Sequence, residues 1–306
     1  MAKYLSRDLA YDLITPETEP RLRVQPGETV VVDTEDAAGG RFRTYDDVTL
    51  EKASVGYPNP LSGPIYVEGA EPGDVLIVTI QSIEVDRQGY TRYRTDGSGL
   101  IKDWFSEPRV VLAPVIGDQV LLTEKVRLPL RPMIGTIGVA PATPNVDVSE
   151  PPGTQGGNMD CPDVRAGARL FLPVFRSGAL LSLGDVHATQ GDGEISTTGI
   201  EIRARVTLQV DLQKGRPAAM TWPRLDLPEA IATIVSAGPM ERAFELACRE
   251  MILWLEEEWG LSRSDAYLLL SNTGGGRVCQ VVNIIPTIRY LAPKASLPPS
   301  DRYPTR

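Results

Sequence analysis

The chain has 306 residues, 42% of them hydrophobic, which is enough to bury a sizeable core in one large domain or two closely packed ones. A net charge of −9 and an aromatic content of 6% argue against nucleic acid or an anionic membrane as the main partner. The widely spaced Cys161, Cys248 and Cys279 form neither a disulfide framework nor a Cys-x-x-Cys zinc site. No signal peptide or bilayer-spanning segment is recognisable, so we expect a soluble, cytoplasmic protein.

The first two thirds of the chain is predicted to be β structure. The 28 glycines and 26 prolines of the chain divide this part into short segments rich in β-branched residues. The segment 200–210 is the clearest strand, because its apolar side chains all occupy even-numbered positions. In chain order, the predicted strands are 28–33, 74–80, 119–122, 126–128, 133–140, 170–175, 179–183 and 200–210.

The last third has a different pattern. Apolar residues recur at a helical period from Met240 to Trp259, and Gly260 is a natural helix end. A capping sequence at 262–265 predicts a second helix, which the glycines at 274–276 end, and 287–291 reads as a final strand. We therefore predict a mainly β fold, sandwich-like or barrel-like over residues 1–215, with an α+β segment at 216–306 packed on it.

The only histidine, His187, lies in the densest polar motif of the chain, Gly-Asp-Val-His-Ala-Thr-Gln-Gly-Asp-Gly-Glu at 184–194. Asp185 and His187 point to the same side of an extended segment, and Asp192 and Glu194 repeat that spacing. The intervening glycines allow both pairs to face one point, where they could bind a metal ion or form a hydrogen-bonded pair. Spacing alone leaves open a second interpretation, a solvated turn whose acidic residues face water.

A Gly-rich segment at 151–162, predicted to be a loop, carries three further candidates. Asp160 could supply another metal ligand, and the amide of Asn158 is suited to binding a carboxamide. Cys161 is a possible nucleophile, but no lysine or second histidine lies near it to stabilise a thiolate. A buried, inert thiol is therefore the favoured interpretation of Cys161.

Several motifs together resemble the acetamidase/formamidase family. They are Gly-Pro-Ile-Tyr-Val-Glu-Gly-Ala-Glu-Pro-Gly-Asp at 63–74, Gly-Thr-Ile-Gly-Val-Ala-Pro at 135–141, Gly-Gly-Asn-Met-Asp at 156–160, the histidine motif, Leu-Ser-Arg-Ser-Asp-Ala-Tyr at 261–267 and Gln-Val-Val-Asn at 280–283. The resemblance implies hydrolysis of a short-chain amide, of the formamide or acetamide type, to carboxylate and ammonia. It also implies a divalent metal, zinc or calcium, and a homo-oligomer such as a dimer or tetramer. One departure is the stretch 274–279, which differs from the family's Gly-Asp-Leu-Arg-Ile-Ser pattern.

Together with the residues themselves, the resemblance leads to the hypothesis of a metal-assisted hydrolysis in which each candidate residue has a role. Asp160, Asp185 and His187 are the expected metal ligands, and the metal would acidify a bound water. Glu194 would accept the proton of that water and return it to the leaving amine. Asp192 would orient the site or add a ligand, and Asn158 would bind the carboxamide or the oxyanion. Three alternatives stay open: a Cys161-dependent amidase, a non-catalytic metal- or ligand-binding β protein, and a structural calcium site.

Overall fold

The computed structural model describes residues 2–11, 15, 17–54, 56, 58–101, 103–143 and 151–304. Within these ranges the chain is mainly β, with two longer helices near its carboxyl end. The predicted fold class is therefore confirmed. No helix in the described ranges has the length and apolar character needed to cross a bilayer.

The described residues form eighteen strands, three α-helices and three 3-10 turns. The strands are β1 (Lys3–Leu5), β2 (Leu22–Val24), β3 (Thr29–Thr34), β4 (Leu61–Val67), β5 (Val75–Val85), β6 (Gln88–Tyr93), β7 (Arg109–Ile116), β8 (Gln119–Leu121), β9 (Arg127–Pro129), β10 (Met133–Gly138), β11 (Gly156–Asn158), β12 (Arg169–Pro173), β13 (Leu181–His187), β14 (Ala204–Gln213), β15 (Arg224–Asp226), β16 (Ala230–Ser236), β17 (Gly275–Gln280) and β18 (Thr287–Pro293). The helices are α1 (Leu50–Ser54), α2 (Met240–Trp259) and α3 (Arg263–Thr273), and the 3-10 turns are Arg7–Leu9, Tyr45–Asp47 and Lys294–Ser296.

The strands form three sheets. A nine-stranded sheet has the order β1-β3-β14-β5-β12-β15-β16-β18-β17, a five-stranded sheet β11-β10-β13-β4-β2, and a small sheet β6-β7-β8-β9. Val32 and Ile80 of the large sheet share one buried apolar cluster with Ile65 and Leu183 of the five-stranded sheet. The inward-facing side chains of both sheets therefore build a single core, as in a sandwich.

The chain crosses from one sheet to the other immediately before the histidine motif. β12 lies in the nine-stranded sheet and β13 in the five-stranded one. Between them Gly178, Ala179 and Leu180 all have positive φ, which turns the backbone sharply. The strand that follows is longer than the predicted 179–183 and runs through the first half of the motif to His187.

β14 begins later than predicted, at Ala204 instead of residue 200. It pairs with β5 along its whole length and with β3 from Ala204 to Gln209, so it lies inside the large sheet. Glu201, just before it, instead forms isolated bridges with Tyr90 and with His187. The segment before β14 therefore connects the histidine strand to β6.

The carboxyl-terminal prediction is accurate in its local detail. α2 spans the predicted residues, and Gly260 ends it with φ of 64° in the left-handed region. The Ser262 hydroxyl accepts a hydrogen bond from the backbone of Asp265 at the start of α3. Strands β15 to β18 continue the nine-stranded sheet, so pairing crosses the boundary expected at residue 215. The division into two units stays a prediction.

The stretch that departs from the family pattern forms β17, at the edge of the large sheet. A Cβ atom at Gly276 would overlap the ring of Phe244 on α2. The absence of a side chain at this position therefore allows the aromatic ring of α2 to pack directly on the edge strand.

Candidate active site

A polar cavity of about 350 Å³ opens where the five-stranded sheet meets the segment before β14. Four carboxylates line it, from four different parts of the chain. Asp160 follows β11, Asp185 lies on β13, Glu194 lies in the turn after β13, and Glu201 precedes β14. We call these four residues and His187 the carboxylate–histidine cluster.

His187 lies at the centre of the cluster. Its side chain is fully buried, and its Nε2 is 3.4 Å from Asp185 Oδ1 and 3.1 Å from Glu201 Oε1. Candidate ligand atoms of His187, Asp160 and Asp185 lie within 4.8 Å of one another, and so do those of His187, Glu194 and Glu201. Neither His187 Nε2 nor Glu201 Oε2 has a hydrogen-bond partner of good geometry among the described residues. Buried polar atoms without partners are costly, and a cation placed between them would satisfy both.

Gln190 determines which nitrogen of His187 faces the cluster. Its Nε2 donates to the carbonyls of Asp160, at 2.8 Å, and Cys279, at 3.1 Å. This orients the amide so that Gln190 Oε1 accepts from His187 Nδ1 at 2.8 Å. The Nδ1 atom therefore carries a proton, and Nε2 either binds a second proton between the carboxylates or offers its lone pair to a cation.

Neutral side chains hold two of the carboxylates in place. Thr136 Oγ1 donates to Asp185 Oδ2 at 3.1 Å, and Asn283 Nδ2 donates to Asp160 Oδ2 at 3.0 Å. With its Nδ2 facing Asp160, Asn158 donates to the two carboxylate oxygens at 2.9 and 3.1 Å. These contacts are of the kind that orients metal-binding carboxylates in proteins.

The backbone around the cavity is unusually constrained. Of the seven non-glycine residues with positive φ in the described part of the chain, five line this cavity. Such conformations cost roughly 1–3 kcal/mol each and tend to occur where function requires them. The five residues are Asn59, Asp160, Asp185, Glu194 and Thr197.

Burial shifts the pKa values of the clustered groups. Desolvation, with the charges of Glu194 and Asp185, raises the pKa of Asp160 well above its ordinary value. Desolvation also raises the pKa of Glu194 to about 8 and the pKa of Glu201 to about 8. Desolvation would raise the pKa of Asp185, but its contacts with His187 outweigh that effect and the pKa is lowered. Desolvation would lower the pKa of His187, but the carboxylates of Glu201 and Asp185 raise it well above the ordinary value. The cluster thus holds more carboxyl groups than the single positive charge of a protonated His187 can neutralise.

Gly135 on β10 leaves the space that two of the carboxylates occupy. A Cβ atom there would lie 2.7 Å from Asp160 Oδ1 and 2.7 Å from the Asp185 carbonyl oxygen. We expect Gly135→Ala to displace both residues, to destabilise the fold by about 1–3 kcal/mol and to weaken any bound divalent cation. Calorimetric melting and metal titration test this, with Gly191→Ala as the control because a Cβ there meets nothing within 4 Å. Equal metal affinity in the two variants would contradict the expectation.

The structure brings Asp160, Asp185, His187, Glu194 and Asn158 together but separates Asp192 from them. Asp192 Oδ1 instead accepts from Arg289 Nη2 at 2.8 Å, in a different cleft. The predicted same-side spacing fails because Gly193, with φ of 95°, and Glu194, with φ of 46°, leave the extended conformation on which alternation depends. The position of Asp192 outside the cluster therefore does not support the role predicted for it as an orienting residue or ligand, and that role stays a prediction.

We expect Asp192→Asn to leave ammonia release from an amide substrate within about twofold of the wild-type rate. The side chain is 45% exposed, so the loss of its ion pair should cost at most about 1 kcal/mol of stability. Steady-state kinetics and melting of the variant check both values. A large loss of turnover would restore a catalytic role to this carboxylate.

Cys161 does not line the cavity. Although it follows Asp160 in the chain, its side chain is fully buried in the main apolar core. Cys279 is also buried, and desolvation together with the adjacent Cys161 raises the pKa of its thiol well above the ordinary value. The position of Cys161 favours the interpretation of an inert, packed thiol.

Sequence reasoning did not identify Glu201, Gln190 or Asn283 as site residues. Glu201 occupies an odd-numbered, polar position of the alternating segment, but so do Arg203 and Arg205, so the pattern alone does not distinguish it. Gln190 lies inside the histidine motif, three residues after His187, and that proximity was a usable signal. Asn283 reaches Asp160 across 123 residues of sequence, which no local pattern reveals.

Residues 8–150 and 148–295 match the model of the acetamidase/formamidase family. The chain belongs to this family. The resemblance drawn from the motifs is confirmed, and with it the prediction of an amide-hydrolysing enzyme.

Individual relatives agree with this assignment. The acetamidase of Mycolicibacterium smegmatis is 26% identical over 344 aligned positions, covering 84% of this chain and 84% of that protein. Among solved structures, the acetamidase of Bacillus halodurans is 35% identical, with a TM-score of 0.87 and coverage of 95% of this chain and 97% of the other. A predicted acetamidase/formamidase of Thermoanaerobacter tengcongensis is 34% identical, with a TM-score of 0.90 and coverage of 100% and 99%. The family likeness therefore extends over the whole sandwich and its helices.

Proposed function

We propose that this enzyme hydrolyses short-chain amides to carboxylate and ammonia in the polar cavity, with the carboxylate–histidine cluster holding a divalent cation. Family membership supports amide hydrolysis, and the names of the relatives favour formamide-like or acetamide-like substrates. The observation that carries the metal proposal is the convergence of buried carboxylates on His187 Nε2, which makes no hydrogen bond of good geometry among the described residues. A homo-oligomeric state and a cytoplasmic location stay predictions.

The residues present fit a divalent cation. His187 Nε2, Asp160 and Asp185 offer one nitrogen and two carboxylates in close range, and Glu201 is a further candidate ligand. This donor set suits zinc and is also compatible with calcium, which prefers oxygen ligands. When bound, such a cation supplies the positive charge that acidifies a water molecule and polarises the amide carbonyl.

The surrounding side chains would position the substrate and move the proton. Glu194 lines the cavity, and burial raises its pKa to about 8, so its carboxyl can gain and lose a proton near neutral pH. It would take a proton from the attacking water and return it to the amide nitrogen, which must be protonated to leave as ammonia. Asn158, also on the cavity wall, would contact the carboxamide while holding Asp160 in position.

Elemental analysis of the purified protein, combined with an ammonia-release screen on formamide, acetamide and propionamide, tests this proposal. We expect about one divalent cation per chain and ammonia released from at least one of these amides. Amide hydrolysis by a protein that holds no cation, and is insensitive to chelators, would overturn the metal assignment. Bound metal with no ammonia release from any amide would favour the non-catalytic alternative.

A further inference from the structure

The wall of the catalytic cavity is polar well beyond the carboxylate–histidine cluster. Ala37 and Val282 supply its apolar side chains among the described lining residues. A saturated acyl chain would therefore lose its hydration against mostly polar atoms and gain little from burial. The remaining lining residues outside the cluster include Asn59, Arg92, Arg94, Ser98, Thr197 and Asn283.

The two arginines of this wall have different surroundings. Arg92 is buried, and its Nη1 donates to the Ala53 carbonyl of α1 at 3.1 Å. Its backbone N–H donates to the Thr198 hydroxyl at 3.1 Å, and that hydroxyl donates to the Arg92 carbonyl at 3.0 Å. Arg92 therefore connects α1, β6 and the segment before β14, which is a structural role.

Arg94, just after β6, is less fully engaged. Its Nε donates to Ser98 Oγ at 3.1 Å, and its Nη1 lies 3.3 Å from Asp96 Oδ2. Its side chain is 20% exposed. Asp96 is 44% exposed, so this ion pair is weak and leaves the guanidinium available for a stronger partner.

The spacing along β6 separates Arg94 from the cluster. Glu201 pairs with Tyr90, and each two residues of strand advance about 7 Å, so Arg94 lies two such steps beyond the level of Glu201. None of the four cluster carboxylates is within ion-pair distance of Arg94 among the described contacts. Because the arginine side chain still lines the same cavity, that cavity holds both the proton-transfer groups and a guanidinium that is not ion-paired with them among the described contacts.

We infer that the enzyme favours amides whose far end carries a carboxylate, and that Arg94 is the residue that selects them. This inference rests on the proposed function, because it places the reacting amide at the carboxylate–histidine cluster. The planar guanidinium would bind the distal carboxylate through paired N–H groups.

Two substrates of nearly identical shape test this inference. Succinamate carries a carboxylate where succinamide carries a second amide, so the ratio of their kcat/KM values, counted per amide group, measures recognition of the charge. We expect wild-type enzyme to favour succinamate by at least about tenfold, and Arg94→Met to bring the ratio close to one. Arg94→Lys, which keeps the charge but loses the paired geometry, should give an intermediate ratio.

Arg249→Met is the matched control, because it removes the same charge from a 67% exposed side chain on α2. The control should keep the wild-type ratio, which excludes a general effect of net charge. A wild-type ratio near one, or a ratio unchanged in both Arg94 variants while the amides are hydrolysed, would overturn the inference.

Calorimetric binding separates this inference from the proposed function. Wild-type protein should bind succinamate at least about tenfold more tightly than succinamide, and Arg94→Met should abolish that difference. If no amide is hydrolysed but this difference is present, the proposed reaction fails and the anion-selecting role of Arg94 stands. If amides are hydrolysed but binding shows no preference, the reaction stands and the role of Arg94 is rejected.

Discussion

Replacing Glu194 by Gln should lower kcat for amide hydrolysis by about 10²–10⁴-fold, the usual contribution of a positioned acid or base. Glutamine keeps the shape of the side chain but cannot accept a proton from water or return one to the amide nitrogen. The effect should be large because the leaving group is an amine, which departs only after protonation. Ammonia release under saturating substrate measures the change.

The metal content of the same variant decides how Glu194 acts. Asp160, Asp185 and His187 remain in Glu194→Gln, so we expect the variant to retain its divalent cation. Asp192→Asn is the matched control, since it makes the same chemical change two residues away, outside the cluster. Near-normal turnover in Glu194→Gln would reject the proton-transfer role, and loss of the metal together with activity would identify Glu194 as a ligand.

Metal-depleted protein should become less stable as the pH rises from about 4.5 to 8. Burial raises the pKa of Glu194 and that of Glu201 from 4.5 to about 8. In this window the folded protein retains protons that the unfolded chain has released, so the free energy of unfolding falls with increasing pH. The stabilising contribution of each carboxyl group to the free energy of unfolding is complete below pH 4.5 and is lost as the pH passes about 8. The raised pKa of His187 acts in the same direction at higher pH.

A bound cation should reverse much of this dependence, because it replaces the protons as the partner of the carboxylates. Melting temperatures of chelator-treated protein at pH 5 to 8, with and without added zinc or calcium, measure the effect. Glu201→Gln should reduce the slope in the metal-free protein by removing one of the raised groups, whereas Asp192→Asn should leave it unchanged. A metal-free melting temperature that is flat or rises over this range would show that these carboxyls are not buried together as described.

Local features of the fold could be read directly from the sequence. The helical period and terminal glycine of α2 depend on side chains three or four positions apart, and the observed helix has the predicted bounds. The alternation in β14 likewise depends on neighbours two positions apart, although the strand begins four residues later than expected. The density of acidic and imidazole groups around His187 also marked the region that lines the catalytic cavity.

Only the tertiary structure assembles the complete cluster. Glu201 reaches His187 because its segment bridges β13 and β6, and Asp160 meets Asp185 across strands that pair over long sequence separations. Alternation predicted that Asp192 faces the same side as Glu194. Positive φ at Gly193 and Glu194 instead turns Asp192 towards Arg289. Periodicity reports only on regular backbone and on residues close in sequence. This site is built from irregular backbone and from strand pairings between distant residues, so packing decides which residues belong to it.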